Sequence, residues 1–195
     1  MSIAAVHIGF NERDFLMRIT IIVGLAVVIM SGCSIVGFDP QPQQYRVIPS
    51  ELRAQNNFEY EIQFEGHGVQ TFVCVKDKIG YYWKYVGGQG VLIRKTGMVF
   101  QTIARFEGNK FKFPDGSYAN GIKIEKFING DNPSNDIKNI RMLAESSSNT
   151  GGQLDGVKYI YRIDSKGGLP TTNCESTKLN AQNKSSYDAF FVFVK

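Results

Sequence analysis

The sequence predicts an all-β fold: one β-sandwich domain, with a barrel as the alternative, containing one disulfide and preceded by a signal peptide and a flexible tether. Three observations favour strands. Short segments alternate apolar and polar residues, as half-buried strands do. Glycine-, proline- and asparagine-rich turn sequences separate these segments at close intervals. Phenylalanine and tyrosine, which favour strands, occur 14 and 9 times in 195 residues.

Residues 17–33 have the order of an export signal. Arg18 precedes an apolar run over 19–30, and Ser31 and Gly32 then lead to Cys33. A thiol directly after small residues is where bacterial lipoproteins receive diacylglycerol, so the sequence predicts lipidation of Cys33. A transmembrane helix is one alternative, but the run has roughly 12 residues where a bilayer needs about 20. A conventional signal peptide with an incidental cysteine is the other.

The chain therefore divides into a signal peptide at 1–32, the lipidated cysteine and tether at 33–57, and a β-rich domain at 58–195. Met17 is an alternative start, because Glu12 and Asp14 are atypical of a basic signal region. Proline and glutamine dominate 38–45, and such a segment buries too little apolar surface to fold. Ser34, where aspartate would favour inner-membrane retention, predicts an outer-membrane lipoprotein that faces the periplasm.

Two cysteines remain once Cys33 is assigned to lipid, namely Cys74 and Cys174. An even pair in an oxidising compartment predicts a disulfide. Two free buried thiols are the alternative. The net charge of +4 is mild and the basic residues are scattered, which favours a solvated surface over a nucleic-acid interface. The predicted partners are the membrane, through the lipid, and either an envelope protein or a glycan.

The elements of the domain follow from the same alternation and turn signals. Turns are predicted at 66–68, 77–80, 87–90, 114–117 and 129–136. Residues 140–145 form either a strand or a short helix. The remaining strands are predicted at 58–64, 69–75, 81–86, 91–94, 98–106, 118–127, 157–163 and 187–194.

Few residues suggest catalysis. His67 is the only histidine after Cys33, and a hydrolase would pair it with Ser117 or Ser165 and with Asp115 or Asp164. No nucleophile-elbow motif accompanies these residues. Glu107, Asp115 and Glu125 could supply paired carboxylates, but no spacing brings two of them together. The loop with Asp131, Asn135 and Asp136 could hold calcium, but it lacks EF-hand spacing. We therefore expect no cofactor and no metal site.

An aromatic strand offers a different kind of site. Tyr81, Tyr82, Trp83 and Tyr85 could form a stacking platform or line an apolar pocket. The alternative is that they fill the core and cover the sheet. The residues predicted to bind a ligand are Tyr81, Trp83, Tyr85, Asp115, Ser117 and His67.

From about residue 68 to its end, the chain resembles DUF3455, a family of secreted bacterial and fungal proteins of unknown function. The segments that carry the resemblance are 68–74, the strand with Trp83, 115–121, 140–144, 156–162, 167–170 with Cys174, and 187–191. The resemblance implies an extracytoplasmic β-rich domain with cysteines at these two positions, and it supplies no activity. Relatives usually carry a histidine before the Asp-Gly-Ser turn, whereas residues 102–106 contain none. An activity that depended on that histidine would be absent here.

These observations together predict a lipid-anchored envelope protein with a non-catalytic binding or structural role. The alternative is a small extracytoplasmic hydrolase that uses His67 or the turn from Asp115 to Ser117.

Overall fold

Eight antiparallel strands follow one another around the molecule in chain order. A computed structural model describes residues 45–55 and 61–195. One short 3₁₀ turn, Ser176–Lys178, lies between the last two strands. The strands are β1 (Glu61–Asp77), β2 (Gly80–Thr96), β3 (Val99–Glu107), β4 (Lys110–Lys112), β5 (Tyr118–Ile128), β6 (Asn139–Ser146), β7 (Tyr159–Gly167) and β8 (Gln182–Val194).

The sheet closes on itself because β8 pairs with β1 along most of its length, from Glu61 opposite Val194 to Val73 opposite Gln182. The all-β prediction is confirmed, and of its two arrangements the closed barrel is the one formed. Closure gives the first and last strands hydrogen-bonding neighbours on both sides, which removes the edges that an open sheet would expose. The segment 140–145, for which a helix was an alternative, lies in strand β6.

Aromatic side chains fill the barrel interior. Phe111 packs against Phe106, Phe191 and Phe193, with ring centroids 5.1 to 5.3 Å apart. Other members of this buried cluster are Phe64, Phe113, Leu92, Met142 and Ile160. Side chains of this size fill the inside of an eight-stranded barrel. The ligand site must therefore be sought on the outside.

The charged side chain of Arg162 lies on the inner face. Arg162 shares that face with Ile160 and pairs across the sheet with Phe191. Its guanidinium lies 5.8 Å from the ring centroid of Tyr187 and donates to the carbonyl oxygen of Lys138 at 2.9 Å. Burial lowers the pKa of Arg162. A cation–aromatic pair thus occupies the interior beyond the phenylalanine cluster.

Two of the predicted turns, at 66–68 and 87–90, are wrong, because β1 and β2 run through them without a break. Gly66, Gly68 and Gly90 face inward, where large rings leave no room for a side chain. A Cβ atom on Gly66 would lie 2.5 Å from the ring of Phe191, and one on Gly68 would lie 2.4 Å from the ring of Tyr187. These glycines therefore accommodate close packing inside a strand.

Gly90 gives the sharpest test of this packing. A Cβ atom there would lie 2.3 Å from the ring of Phe106 and 2.4 Å from the carbonyl oxygen of His67, and the backbone cannot rotate away. Gly90→Ala is therefore expected to lower the free energy of unfolding by about 3 kcal/mol, measured by urea denaturation. Gly87→Ala is the control, because a Cβ atom there meets nothing within 4 Å. Equal loss in both variants would contradict the packing argument.

The hairpin of β1 and β2 is joined to the loop before β8 by the predicted disulfide. Cys74 and Cys174 are bonded, with Cα atoms 5.4 Å apart. The backbone of Cys74 also exchanges hydrogen bonds with the loop, donating to Ala181 and accepting from Asn180, both at 2.9 Å. The indole of Trp83 donates to the carbonyl of Thr172 at 2.6 Å. The loop is thus fixed against the aromatic strand.

Residues 45–55, which the sequence assigns to the tether, pack on the outside of the barrel. Ile48 and Leu52 are buried in a cluster with Tyr161 and Ile163, together with Val192 and Val194. The polar composition of the segment predicted a tether, but two of its aliphatic residues, Ile48 and Leu52, are buried against an apolar outer face of the barrel. Cys33 and the signal peptide lie outside the described residues. Among residues 45–55 and 61–195, no helix has the length and apolar character needed to span a bilayer.

Candidate functional site

A groove of about 690 Å³ lies on the barrel surface across β8, β1, β2, β3 and β4. It lies over the inward-facing Gly68 and Gly90, and the residues that alternate with them along each strand face outward. Charged and hydrogen-bonding side chains dominate the lining. The outward-facing members are His67, Val69, Gln89, Val91, Arg105, Glu107, Lys110, Lys112, Ser186 and Asp188.

Strand register arranges these side chains in two rows that cross the sheet. The first row runs Asp188, His67, Val91, Arg105, Lys112, each directly opposite the next. The second runs Ser186, Val69, Gln89, Glu107, Lys110. Opposite side chains in antiparallel strands lie about 5 Å apart. The groove therefore has a carboxylate and an imidazole on one side and three cations on the other, with Glu107 among the cations.

His67, predicted to lie in an exposed turn, lies in the middle of β1. Its Nδ1 contacts Oδ1 of Asp188 at hydrogen-bond distance, and its Nε2 lies 3.8 Å from Oε1 of Glu65. The two carboxylates face opposite nitrogens, so they do not converge on one point where a metal ion could bind. In the part of the chain that the structure describes, no group of three or more His, Cys, Asp and Glu side chains could hold a metal ion.

Ser117 and Asp115, the other residues of the hydrolase hypothesis, connect their turn to the 153–154 backbone by hydrogen bonds. Ser117 is fully buried, and its hydroxyl donates to Asp115 at 2.6 Å while accepting from the backbone N–H of Leu154 at 3.1 Å. The hydrogen bond from Ser117, followed by that from the N–H of Gln153, lowers the pKa of Asp115. Neither residue lines the groove that contains His67. The structure therefore does not bring His67 and this turn into one site.

Of the remaining catalytic candidates, Asp164 and Ser165 lie on β7, Glu107 on β3 and Glu125 on β5. Asp164 forms an ion pair with Arg46 at 3.6 Å. The backbone N–H of Ser165 donates to the side chain of Asn139 at 2.9 Å, and the residue is buried. Glu125 pairs with Arg141 at 3.3 Å on the outside of the barrel. Of the three carboxylates considered for acid–base work, Glu107 alone lines the groove.

The aromatic strand lies outside the groove. Tyr81, Trp83 and Tyr85 pair across from Lys76, Cys74 and Phe72, so they share the face that carries the disulfide. Tyr85 packs edge-on against Phe72 with centroids 5.8 Å apart, and burial raises the pKa of Tyr85. The loop before β8 contacts the indole of Trp83 through the carbonyl oxygen of Thr172. These contacts fix the strand on one side, while Tyr81, Tyr82 and Tyr85 remain 37%, 38% and 48% exposed.

Asp136, in the loop considered for calcium, is held by hydrogen bonds from within the protein. It accepts from the backbone N–H groups of Gly167 and Asn132 at 2.7 and 2.8 Å and from the side chain of Asn135 at 3.2 Å. The bond from Gly167, the largest effect, lowers the pKa of Asp136. The carboxylate thus joins the 129–139 loop to the end of β7.

Asp155 holds the next loop in the same way and predicts a pH dependence. Hydrogen bonds from Ser147, the largest effect, and from Thr150 lower its pKa from 3.8 to about 2. A carboxylate with a depressed pKa in the folded protein stabilises the fold above its ordinary pKa, and this contribution disappears as pH falls toward 2. Asp155→Ala should therefore lower the urea midpoint at pH 5, and by much less at pH 2. Asp131→Ala, at an exposed position, is the control. A deficit in Asp155→Ala that is equal at both pH values would contradict this role.

Sequence reasoning missed most of the groove. Arg105, Lys112 and Asp188 were assigned no role, although residues 105–113 alternate charged side chains with Phe106, Phe111 and Phe113. That alternation was sufficient to place the cations on one outer face. It could not reveal that Asp188 lies beside His67, because this contact requires the pairing of β8 with β1.

A family model described as "Protein of unknown function (DUF3455)" matches residues 54–195. The match covers the barrel and begins within the packed segment 45–55. No curated protein and no solved structure matches the chain.

Proposed function

We propose that this chain, which belongs to the DUF3455 family, is a lipid-anchored protein of the cell envelope that binds a ligand in its outer groove and does not transform it. The location is the outer membrane, with the barrel facing the periplasm.

The anchor is supported by the sequence. Residues 17–33 combine Arg18, the apolar run and the small residues directly before Cys33 in the order that export and lipidation require. The disulfide between Cys74 and Cys174 is consistent with an oxidising compartment outside the cytoplasm.

The groove is the observation that carries the binding role. Its volume of about 690 Å³ and its two rows of outward side chains offer many hydrogen-bonding groups on one rigid sheet face. Arg105 and Lys112 are direct neighbours across β3 and β4, and Lys110 lies in the adjacent row. Clustered cations with amide and hydroxyl groups beside them suit an acidic, hydroxyl-rich polymer. We therefore propose an acidic envelope glycan as the ligand.

A non-catalytic role is favoured by how the candidate catalytic groups are engaged. The hydroxyl of Ser117 is buried and already both donates and accepts hydrogen bonds. The imidazole of His67 has a carboxylate facing each of its nitrogens. A general base must lie within hydrogen-bond reach of the nucleophile's proton, and Ser117 does not line the groove that contains His67. His67 is better placed to fix Asp188 at one end of the groove.

Co-sedimentation with insoluble murein sacculi tests this proposal. The probe is an acidic glycan–peptide polymer of the envelope. The double variant Arg105→Gln, Lys112→Gln should reduce the affinity about tenfold or more, because each lost charge-assisted contact contributes on the order of 1 kcal/mol or more. The matched control, Lys84→Gln with Lys123→Gln, removes the same charge at exposed positions outside the groove.

Retention in the control and loss in the groove variant would support the proposal. An equal reduction in both would mean that net charge, and not the groove, drives binding. Sacculi that do not retain the native protein would rule out this ligand.

A further inference from the structure

The turn between β2 and β3 exposes three consecutive apolar side chains. We define the β2–β3 tip as residues 95–100. Met98, Val99 and Phe100 are 87%, 67% and 61% exposed. Scattered single apolar residues are ordinary on protein surfaces, but a contiguous group at the end of a projecting hairpin marks an interaction surface.

Basic side chains flank this apolar group. The ammonium group of Lys95 lies 5.5 Å from the ring centroid of Phe100, its cross-strand partner. Arg94 is also exposed, and its guanidinium lies 5.7 Å from the ring of Phe64 at the barrel opening. Apolar and aromatic side chains rimmed by cations match the interface of an anionic bilayer, where the rings enter the headgroup boundary and the cations meet phosphates.

The N-terminal segment reaches the barrel at the same end. The peptide of Arg46 exchanges two hydrogen bonds of 2.8 Å with the side chain of Gln63. Gln63 lies two residues after the start of β1, and antiparallel pairing places the start of β1 beside the end of β2, which leads into the tip. Cys33 precedes Tyr45 by twelve residues, and a chain of that length spans at most about 40 Å. A lipid on Cys33 therefore limits the distance between Tyr45 and the membrane to at most about 40 Å.

We infer that the β2–β3 tip inserts into the interface of the anionic phospholipid bilayer that holds the lipidated Cys33. The inference rests on the proposed function only for the anchor. Insertion of the tip gives the barrel a second attachment and a fixed orientation, with the β1–β2 turn pointing away from the membrane.

Site-directed spin labelling tests the inference. The full-length protein is extracted from membranes and reconstituted into phosphatidylcholine vesicles containing phosphatidylglycerol, with a nitroxide on Met98→Cys. Ile79→Cys is the matched control, because Ile79 is 88% exposed in the turn at the opposite end of the barrel. Accessibility to oxygen, which concentrates in lipid, is compared with accessibility to a water-soluble nickel complex. The label at position 98 should be at least about threefold more accessible to oxygen than to nickel, and the label at 79 should show the reverse.

Two results would overturn the inference. Labels at 98 and 79 that are equally accessible to nickel would place the tip in water. A label at 98 shielded from both reagents would mean that protein, from a second copy or a partner, covers the tip. The intact mass of the same preparation reports separately on the anchor. If Cys33 carries no lipid, the proposed anchor fails, and the same comparison on the unlipidated protein added to the vesicles decides whether the tip inserts.

Discussion

Cys74→Ser is expected to lower the free energy of unfolding by about 4 to 5 kcal/mol, because a disulfide that closes a loop of about 100 residues strongly restricts the unfolded chain. The bonded cysteines are 100 residues apart in sequence. The bond also holds the loop before β8 against the aromatic strand, where the indole of Trp83 donates a hydrogen bond to the carbonyl oxygen of Thr172. Urea denaturation without reductant measures the loss, and a thiol reagent should find Cys174 reactive in the variant.

The double variant Cys74→Ser, Cys174→Ser controls for effects of the unpaired Cys174 thiol in the single variant. The two variants should have the same free energy of unfolding. Native protein treated with reductant should approach the same value. A single variant that unfolds at the native urea midpoint would show that the bond adds little to the loop's other contacts.

Phe111→Ala is expected to lower the free energy of unfolding by about 3 to 5 kcal/mol, because it leaves a cavity that the barrel cannot collapse to fill. Phe111 is almost completely buried, and its ring contacts three other phenylalanines. It lies on β4, the strand of three residues that joins β3 to β5. Loss of its ring weakens the shortest junction in the closed sheet.

Phe100→Ala is the matched control in solution, since the same ring is removed from an exposed position in the turn region. Its free energy of unfolding should stay within about 0.5 kcal/mol of that of the native protein. Equal destabilisation by both substitutions would contradict the assignment of Phe111 to the centre of the core.

Local patterns predicted the strands well and the turns less well. The alternation at Ile62 and Phe64 and the closing aromatic run at 187–194 identified strands, since each follows a two-residue repeat. The predicted start of the first strand at residues 58–60 lies outside the described residues. Glycines at 66–68 and 87–90 were taken as turn signals, whereas Gly66, Gly68 and Gly90 lie opposite large rings from neighbouring strands. A glycine required by a contact distant in sequence is indistinguishable from a turn glycine until the pairing is known.

The candidate site depended even more on long-range pairing. His67 was singled out because it is the sole histidine after Cys33, but its partner Asp188 is 121 residues away in sequence. The Asp115–Ser117 turn was predicted correctly as a local turn. The Ser117 hydroxyl, however, accepts a hydrogen bond from the backbone N–H of Leu154, in the loop after β6. The disulfide was predictable because the number of cysteines and the predicted compartment restrict the choice without any geometry.

The intact mass of protein purified from detergent-extracted membranes, before and after reduction and alkylation, tests the central claim most directly. We expect a chain that begins at Cys33 with a diacylglyceryl or triacyl increment, and two cysteines that alkylate only after reduction. An unmodified mass that includes Met1 or Met17, with thiols that alkylate without reductant, would contradict both the lipid anchor and the envelope location.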